Sequence, residues 1–361
     1  MKPTKLALAI TLTSTLFSTN LTYAEVGVTD ESVLLGMVNV QTGPASALGQ
    51  GMLKGASAVF DDINQAGGVH GRQIELLVAD DGYEPDMAID ETLAMIEDEE
   101  VFSLFGYVGT PTANAVLPIV KDTEVPLVGL FTGAGSLRKP ITRQVFNVRS
   151  SYDDEAEAMV NHFLANGAKT VGVFYQNDGF GKAVLSGAKK ALQKHDMDVH
   201  VTGTFERNTV AVKSGLGKIM KDAPDAIVMV GTYAPLAEFV KQARKAGLDS
   251  MMSTVSFVGT KNLASAMGDA GDGVIITQVV PSPAEHDIAV VNDCRKLVEA
   301  DGSSTLDYIN LEGCLSAKVM VEALQKAGPE LDRDTLIATL EGMEDVDLGG
   351  LKLGFSADSH Q

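Results

Sequence analysis

Two consecutive series of apolar, strand-type runs separated by helical segments constrain this chain more than any other feature. In the first, Ser32 to Val40 reads as a buried parallel strand. It is followed by a loop from Gln41 to Gly49, a helix to about Asn64, a strand at Ile74 to Ala79 and a helix at Asp86 to Glu97. A strand at Ser103 to Phe105, a helix at Thr112 to Lys121 and a strand at Pro126 to Leu130 complete it. The second series starts near Tyr152. It predicts helices at Asp153–Asn166, Gly181–His195, Val212–Lys221 and Ala234–Ala246, with strands at Thr170–Tyr175, Val199–Thr204 and Ala226–Val230 between them. Such alternation marks doubly wound parallel α/β sheets. Two of them place the carboxyl-end loops of both sheets across one cleft, where open α/β sheets bind ligands. No low-complexity linker intervenes, so the joint is expected to be short crossing segments rather than a tether.

The first residues carry an address. Met1-Lys2-Pro3-Thr4-Lys5, an apolar and hydroxyl-rich stretch from Leu6 to Leu21, and Thr22-Tyr23-Ala24 predict a signal peptide, residues 1–24, cleaved after Ala24. No cysteine stands at the cut, and nothing later approaches the roughly 20 apolar residues of a membrane span. A soluble protein outside the cytoplasm follows. Its 48 acidic against 28 basic side chains argue against nucleic acid or anionic lipid as partner. The length, 361 residues with the leader, favours two domains over one core. Cys294 and Cys314 could pair in an oxidising compartment or stay as two buried thiols.

Enzymatic and metal-binding readings find little support. Gly106-Tyr107-Val108-Gly109 lacks the dinucleotide-loop spacing, no G-x-S-x-G elbow occurs, and neither cysteine has a base nearby in sequence. Asp80, Asp81, Glu84 and Asp86 fail the EF-hand pattern. His70, His162, His195, His200, His286 and His360 show no paired metal spacing. No metal and no cofactor are expected. By contrast, Gly109-Thr110-Pro111-Thr112 lies between a strand and a helix, where helix N–H groups and hydroxyls can hold an anion without a buried counter-charge. The same residues also fit a Thr N-cap with Pro at the first helical position.

Thr42-Gly43-Pro44 with Gly49 and Gly55-Ala56, Ile63-Asn64 with Gly67-Gly68-Val69-His70-Gly71-Arg72, Asp80-Asp81, Gly106 with Thr110, and Gly179-Phe180-Gly181 resemble the periplasmic leucine/isoleucine/valine-binding proteins. Gly231-Thr232-Tyr233, Gln242-Ala243-Arg244 with Gly247, and Leu311-Glu312-Gly313 extend the resemblance over roughly Val33 to Phe355. It implies a type I periplasmic binding fold, two Rossmann-like lobes joined by a three-crossover hinge. Lobe 1 is expected to take residues 25–146 plus 279–345 and lobe 2 residues 147–278 plus 346–361; proteins of this kind usually continue into a final strand past the position of Phe355. The implied function is the solute-binding component of an ABC importer of the branched-chain amino acid type. It would be a monomer that captures an amino acid or a related carboxylate or amide and docks on permease subunits in the membrane. A sensor module of the same fold, acting on a membrane kinase or chemoreceptor, is the alternative.

By the same resemblance Thr110 stands for the serine that holds a ligand carboxylate, with Gly109 beside it, and Thr132 and Gly133 for the second anchoring loop. Leu48 and Phe180 stand where aromatic side chains cover the ligand, and Thr232 and Tyr233 where the second lobe contributes. Tyr152 lies near the hinge. Ser256 is a departure, because an acidic residue is expected there to pair with a ligand ammonium. Either the ligand lacks an α-ammonium, or Glu155 or Asp153 supplies the charge; both also fit an acidic first turn of a helix. A neutral amide, a keto acid or an aromatic carboxylate therefore competes with an amino acid as ligand.

Overall fold

The structure, a computed structural model, describes residues 25–361. The expected leader lies outside them. The first series forms β1 (Ser32–Asn39), α1 (Ser46–Gln65), β2 (Gln73–Asp80), α2 (Pro85–Glu97), β3 (Ser103–Phe105), α3 (Thr110–Thr123), β4 (Leu127–Val128) and β5 (Val145–Phe146). These five strands make one parallel sheet in the order β2-β1-β3-β4-β5.

The second series follows with α4 (Tyr152–Ala165), β6 (Val171–Gln176), α5 (Gly179–Gln193), β7 (Val201–Phe205), α6 (Lys213–Asp222), β8 (Ala226–Val230), α7 (Tyr233–Lys245), β9 (Met251–Thr254), α8 (Thr260–Met267) and β10 (Val274–Ile276). Its strands pair in parallel, in the order β10-β9-β8-β6-β7. Helix starts are fixed by side chains. Ser151 and Asp154 form a capping box on α4, and the Asp178 carboxylate accepts from the Phe180 and Gly181 N–H groups at the start of α5.

The chain then returns to the first sheet through α9 (Ala289–Val298), α10 (Tyr308–Ala327) and α11 (Arg333–Glu341), and ends in a small hairpin, β11 (Val346–Asp347) with β12 (Lys352–Leu353). Helix α10 lies flush on α1. A Cβ on Gly55 would come within 1.9 Å of the Asn310 carbonyl, and one on Gly313 within 2.4 Å of the Met52 carbonyl. Only glycine allows that approach. Cys294 of α9 and Cys314 of α10 form a disulfide, with Cα atoms 6.0 Å apart, which resolves the choice left open by the sequence.

One boundary needs correction. Residues 346–361, expected in lobe 2, pack on lobe 1: Val346 and Phe355 join its apolar core, and the Phe146 ring meets Phe355 at 5.6 Å and stacks on His360 at 4.1 Å. The reason is that Phe146, at the end of edge strand β5, presents an apolar face that this tail covers. The Asn147 N–H donates to the His360 carbonyl at 2.8 Å, which carries the tail as far as the hinge. Among the described residues the chain passes between the sheets at 147–151 and 277–288, and no helix is long and apolar enough to cross a membrane.

Candidate functional site

The loops after β3 and β4 of the first sheet face the loops after β6 and β9 of the second. After β3 the chain turns at Gly109, whose φ of 100° belongs to the region that favours glycine, and enters α3 with Pro111 in the first turn. Gly109, not Thr110, occupies the N-cap, so the capping alternative for Thr110 does not hold. Its hydroxyl instead meets the Thr132 hydroxyl at 2.7 Å, with both residues fully buried. Two loops expected to hold one solute thus converge.

Glycines let aromatic rings close down on this pair. A Cβ on Gly109 would lie 2.2 Å from the Tyr83 ring, and one on Gly133 2.6 Å from the Tyr152 ring. The rings then run across the lobe boundary: Tyr83 to Phe257 at 6.2 Å, Phe131 to Phe257 at 5.3 Å, Phe257 to Phe180 at 4.7 Å and Phe180 to Tyr152 at 5.3 Å. All five are at most 1 % exposed, so the lobes are closed on one another. Of these, Phe180 and Tyr152 were expected, whereas Tyr83, Phe131 and Phe257 were not. No spacing rule would have found them, because each follows a different strand.

Leu48 is buried and reaches the boundary, where its Cδ2 would lie 3.1 Å from a Cβ on Gly259 of the other lobe. Thr232 is the N-cap of α7 without a side-chain capping bond, and Tyr233 packs half-buried against the cores of the second lobe. Among the described residues Tyr233 makes no ring pair with the cluster. Phe257, in the turn after β9, meets the rings of Tyr83 and Phe131, whereas Tyr233 lies in the first turn of α7.

Beneath the rings lies a buried charge group. The Arg149 guanidinium stacks 4.7 Å above the Phe131 ring and 5.9 Å from that of Tyr152. It lies 3.6 Å from the Glu155 carboxylate and 3.5 Å from that of Glu312, and it also donates to the Ser256 hydroxyl. Glu155 accepts from the Ser256 N–H at 2.7 Å, from the Ser256 hydroxyl at 3.1 Å and from the Thr277 hydroxyl. Glu155 of α4 thus arrives at residue 256 from another element, while Asp153 lies partly exposed on the surface and pairs with Lys190 at 2.7 Å. Burial pushes the Glu312 carboxyl up to about 7, against the pull of Arg149.

The rim carries a second set of cross-lobe contacts. Arg207 reaches Glu84 of the first lobe at 2.6 Å and Asp178 of its own at 3.4 Å. Asn208 donates to the Glu84 carboxylate at 2.7 Å and to the Gly82 carbonyl at 3.1 Å. The acidic residues at the end of β2 are engaged by backbone N–H groups. Asp80 accepts from the Gln41 and Gly82 N–H groups, and Asp81 is fully buried, accepting from the Tyr83 N–H.

Burial pushes the Asp81 carboxyl from 3.8 to about 7. Because the folded value is raised, its stabilising contribution is complete below the unfolded value and is lost as pH rises through about 7. Asp81→Asn should therefore flatten the decline in stability between about pH 4 and 7. Urea midpoints of both proteins at pH 4.5 and 8 check this, and an unchanged pH slope would contradict it.

The fold is that of a two-lobed solute-binding protein, and the candidate site lies between the lobes. The chain belongs to the periplasmic binding protein family, whose model matches residues 32–361. A leucine-, isoleucine-, valine-, threonine- and alanine-binding protein of Pseudomonas aeruginosa is 22 % identical over 310 residues, covering 85 % of this chain and 81 % of its own length. A crystal structure from Rhodopirellula baltica, described as a possible leucine/isoleucine/valine-binding protein, superposes with a TM-score of 0.88 at 33 % identity, covering 92 % of both chains. The fold is shared with a branched-chain amino acid ABC transporter protein of Thermus thermophilus with bound valine, at a TM-score of 0.81 and 18 % identity over 91 % of this chain and 90 % of that one.

Proposed function

We propose that this chain is the extracytoplasmic solute-binding component of an ABC importer. It captures an amino acid or a related small carboxylate or amide between its lobes and presents the closed form to permease subunits in the membrane. The observation that carries this reading is the buried Thr110–Thr132 hydroxyl pair at the carboxyl ends of one sheet, covered by Phe180 and Phe257 from the other lobe. The first turn of α3 supplies N–H donors and the positive end of a helix dipole for a carboxylate, and the rings supply an apolar cover. A ligand shifts the lobes toward closure only by its greater affinity for the closed state, so contacts made between the lobes count directly toward affinity. Release from the cytoplasm through residues 1–24 and residence in the periplasm complete the reading.

The Arg207 contacts test it away from the solute. Arg207→Ala should weaken solute binding about 5-fold, the effect of losing roughly 1 kcal/mol from a partly exposed charge network. The loss should fall mainly on the dissociation rate and shrink in high salt. Stopped-flow dissociation at low and high salt measures it. Unchanged kinetics would mean that closure over the cleft is not what retains the solute.

A further inference from the structure

We infer that the solute is an amine-free monocarboxylate with an aromatic or branched apolar body, and that Arg149 is the charged side chain that selects it. The inference rests on the cleft being the binding site. An α-amino acid brings an ammonium into a dry site, which needs an uncommitted carboxylate beside it. Among the described residues the carboxylates near the cleft are engaged or set apart from Thr110. Residue 256 is a serine, and the carboxylate that reaches it, Glu155, is occupied on both oxygens by Ser256 and Thr277 and lies 3.6 Å from Arg149. Glu312 faces the same guanidinium at 3.5 Å. At the rim, Glu84 and Asp178 are engaged by Arg207. Asp81 keeps one oxygen without a partner, but it follows the edge strand β2, separated from β3 and Thr110 by β1.

Among the unfilled valences around Arg149 are donors. Arg149, 2 % exposed, leaves its Nε without a hydrogen-bond partner, and the buried Tyr152 hydroxyl lies beside Thr132. A guanidinium N–H and a phenol O–H are complementary to a carboxylate. The surroundings agree. A groove of about 660 Å³ begins at Gly179 beside Thr110, and its walls carry Arg138, Lys139, Lys182 and Lys190 against Asp153 and Asp154, in a chain of net charge −20. A basic approach on an acidic protein steers anions. The five contiguous rings then provide faces for an apolar body.

The test is calorimetric titration of the mature protein, unfolded and refolded to strip carried solute. The probes are matched pairs: 4-methyl-2-oxovalerate against leucine, and 3-phenylpropionate against phenylalanine. At least one amine-free member should bind 10-fold or more tighter than its amino acid. Arg149→Lys, which keeps the charge but loses the planar fork, should weaken that member about 10-fold. Leucine or phenylalanine binding as tightly as its partner would overturn the assignment, as would an absence of binding by both amine-free probes or an Arg149→Lys variant with unchanged affinity. Thr110→Val separates this from the reading beneath it. If amino acids bind and Thr110→Val abolishes their binding, the cleft stands and only the ligand class falls. If Thr110→Val leaves every affinity unchanged, the cleft itself is misplaced.

Discussion

Arg149→Gln is expected to cost the fold about 3–5 kcal/mol, the usual effect of breaking a buried ion pair from one side. The guanidinium lies between Glu155 of the second lobe and Glu312 of the first, with all three groups nearly or fully inaccessible. Removing it leaves two carboxylates in a dry site. Glu155 retains the Ser256 and Thr277 donors, whereas Glu312 has, among the described residues, no other neighbour of opposite charge as close and must take up a proton. Two consequences separate this account from simple loss of packing. The variant should recover stability as pH falls and Glu312 becomes neutral. The double variant Arg149→Gln/Glu312→Gln should be more stable than Arg149→Gln alone. Urea unfolding followed by far-UV circular dichroism reads both, since the chain has no tryptophan. A cost below about 1 kcal/mol, with no pH dependence, would contradict the buried-charge account.

The second large effect concerns the disulfide. Cys294 and Cys314 are 20 residues apart in sequence and tie α9 to α10 inside the core of lobe 1. Closing a loop of that size removes entropy from the unfolded chain worth about 3 kcal/mol. The double variant Cys294→Ala/Cys314→Ala should therefore lose about that much stability in lobe 1, with a smaller effect on lobe 2. Both cysteines are fully buried, so reductant alone should act slowly on the native protein and quickly once urea is added. A urea midpoint unaffected by the double substitution would show that the cross-link adds nothing.

What the sequence made legible was local. Strand runs and amphipathic helices announce themselves by period, and the elements from β1 to α7 fall within a few residues of their expected places, except the two-residue edge strand β5, which was not expected. Thr110 and Thr132 were also within reach, because each follows a strand and carries a hydroxyl. Long-range contacts were not legible. Arg149 meets Ser256 across 107 positions, and Arg207 meets Glu84 across 123. Phe257 looks like an ordinary core residue until the turn after β9 carries it across the cleft. The tail at 346–361 was misassigned because its packing is decided by Phe146, a partner distant in sequence. Ser256 was informative as a missing charge, yet which carboxylate would arrive there depended on how α4 is oriented.

The central claim is that two lobes close over a solute held at Thr110 and Thr132. Hydrogen–deuterium exchange of the refolded, solute-free protein with and without saturating 4-methyl-2-oxovalerate or 3-phenylpropionate tests it most directly. The account predicts new protection in the segments 107–112, 131–133, 178–181 and 254–258, and at the rim around 82–84 and 206–208, with the outer helices unchanged. Protection elsewhere, or binding that leaves these segments exchanging as before, would contradict it.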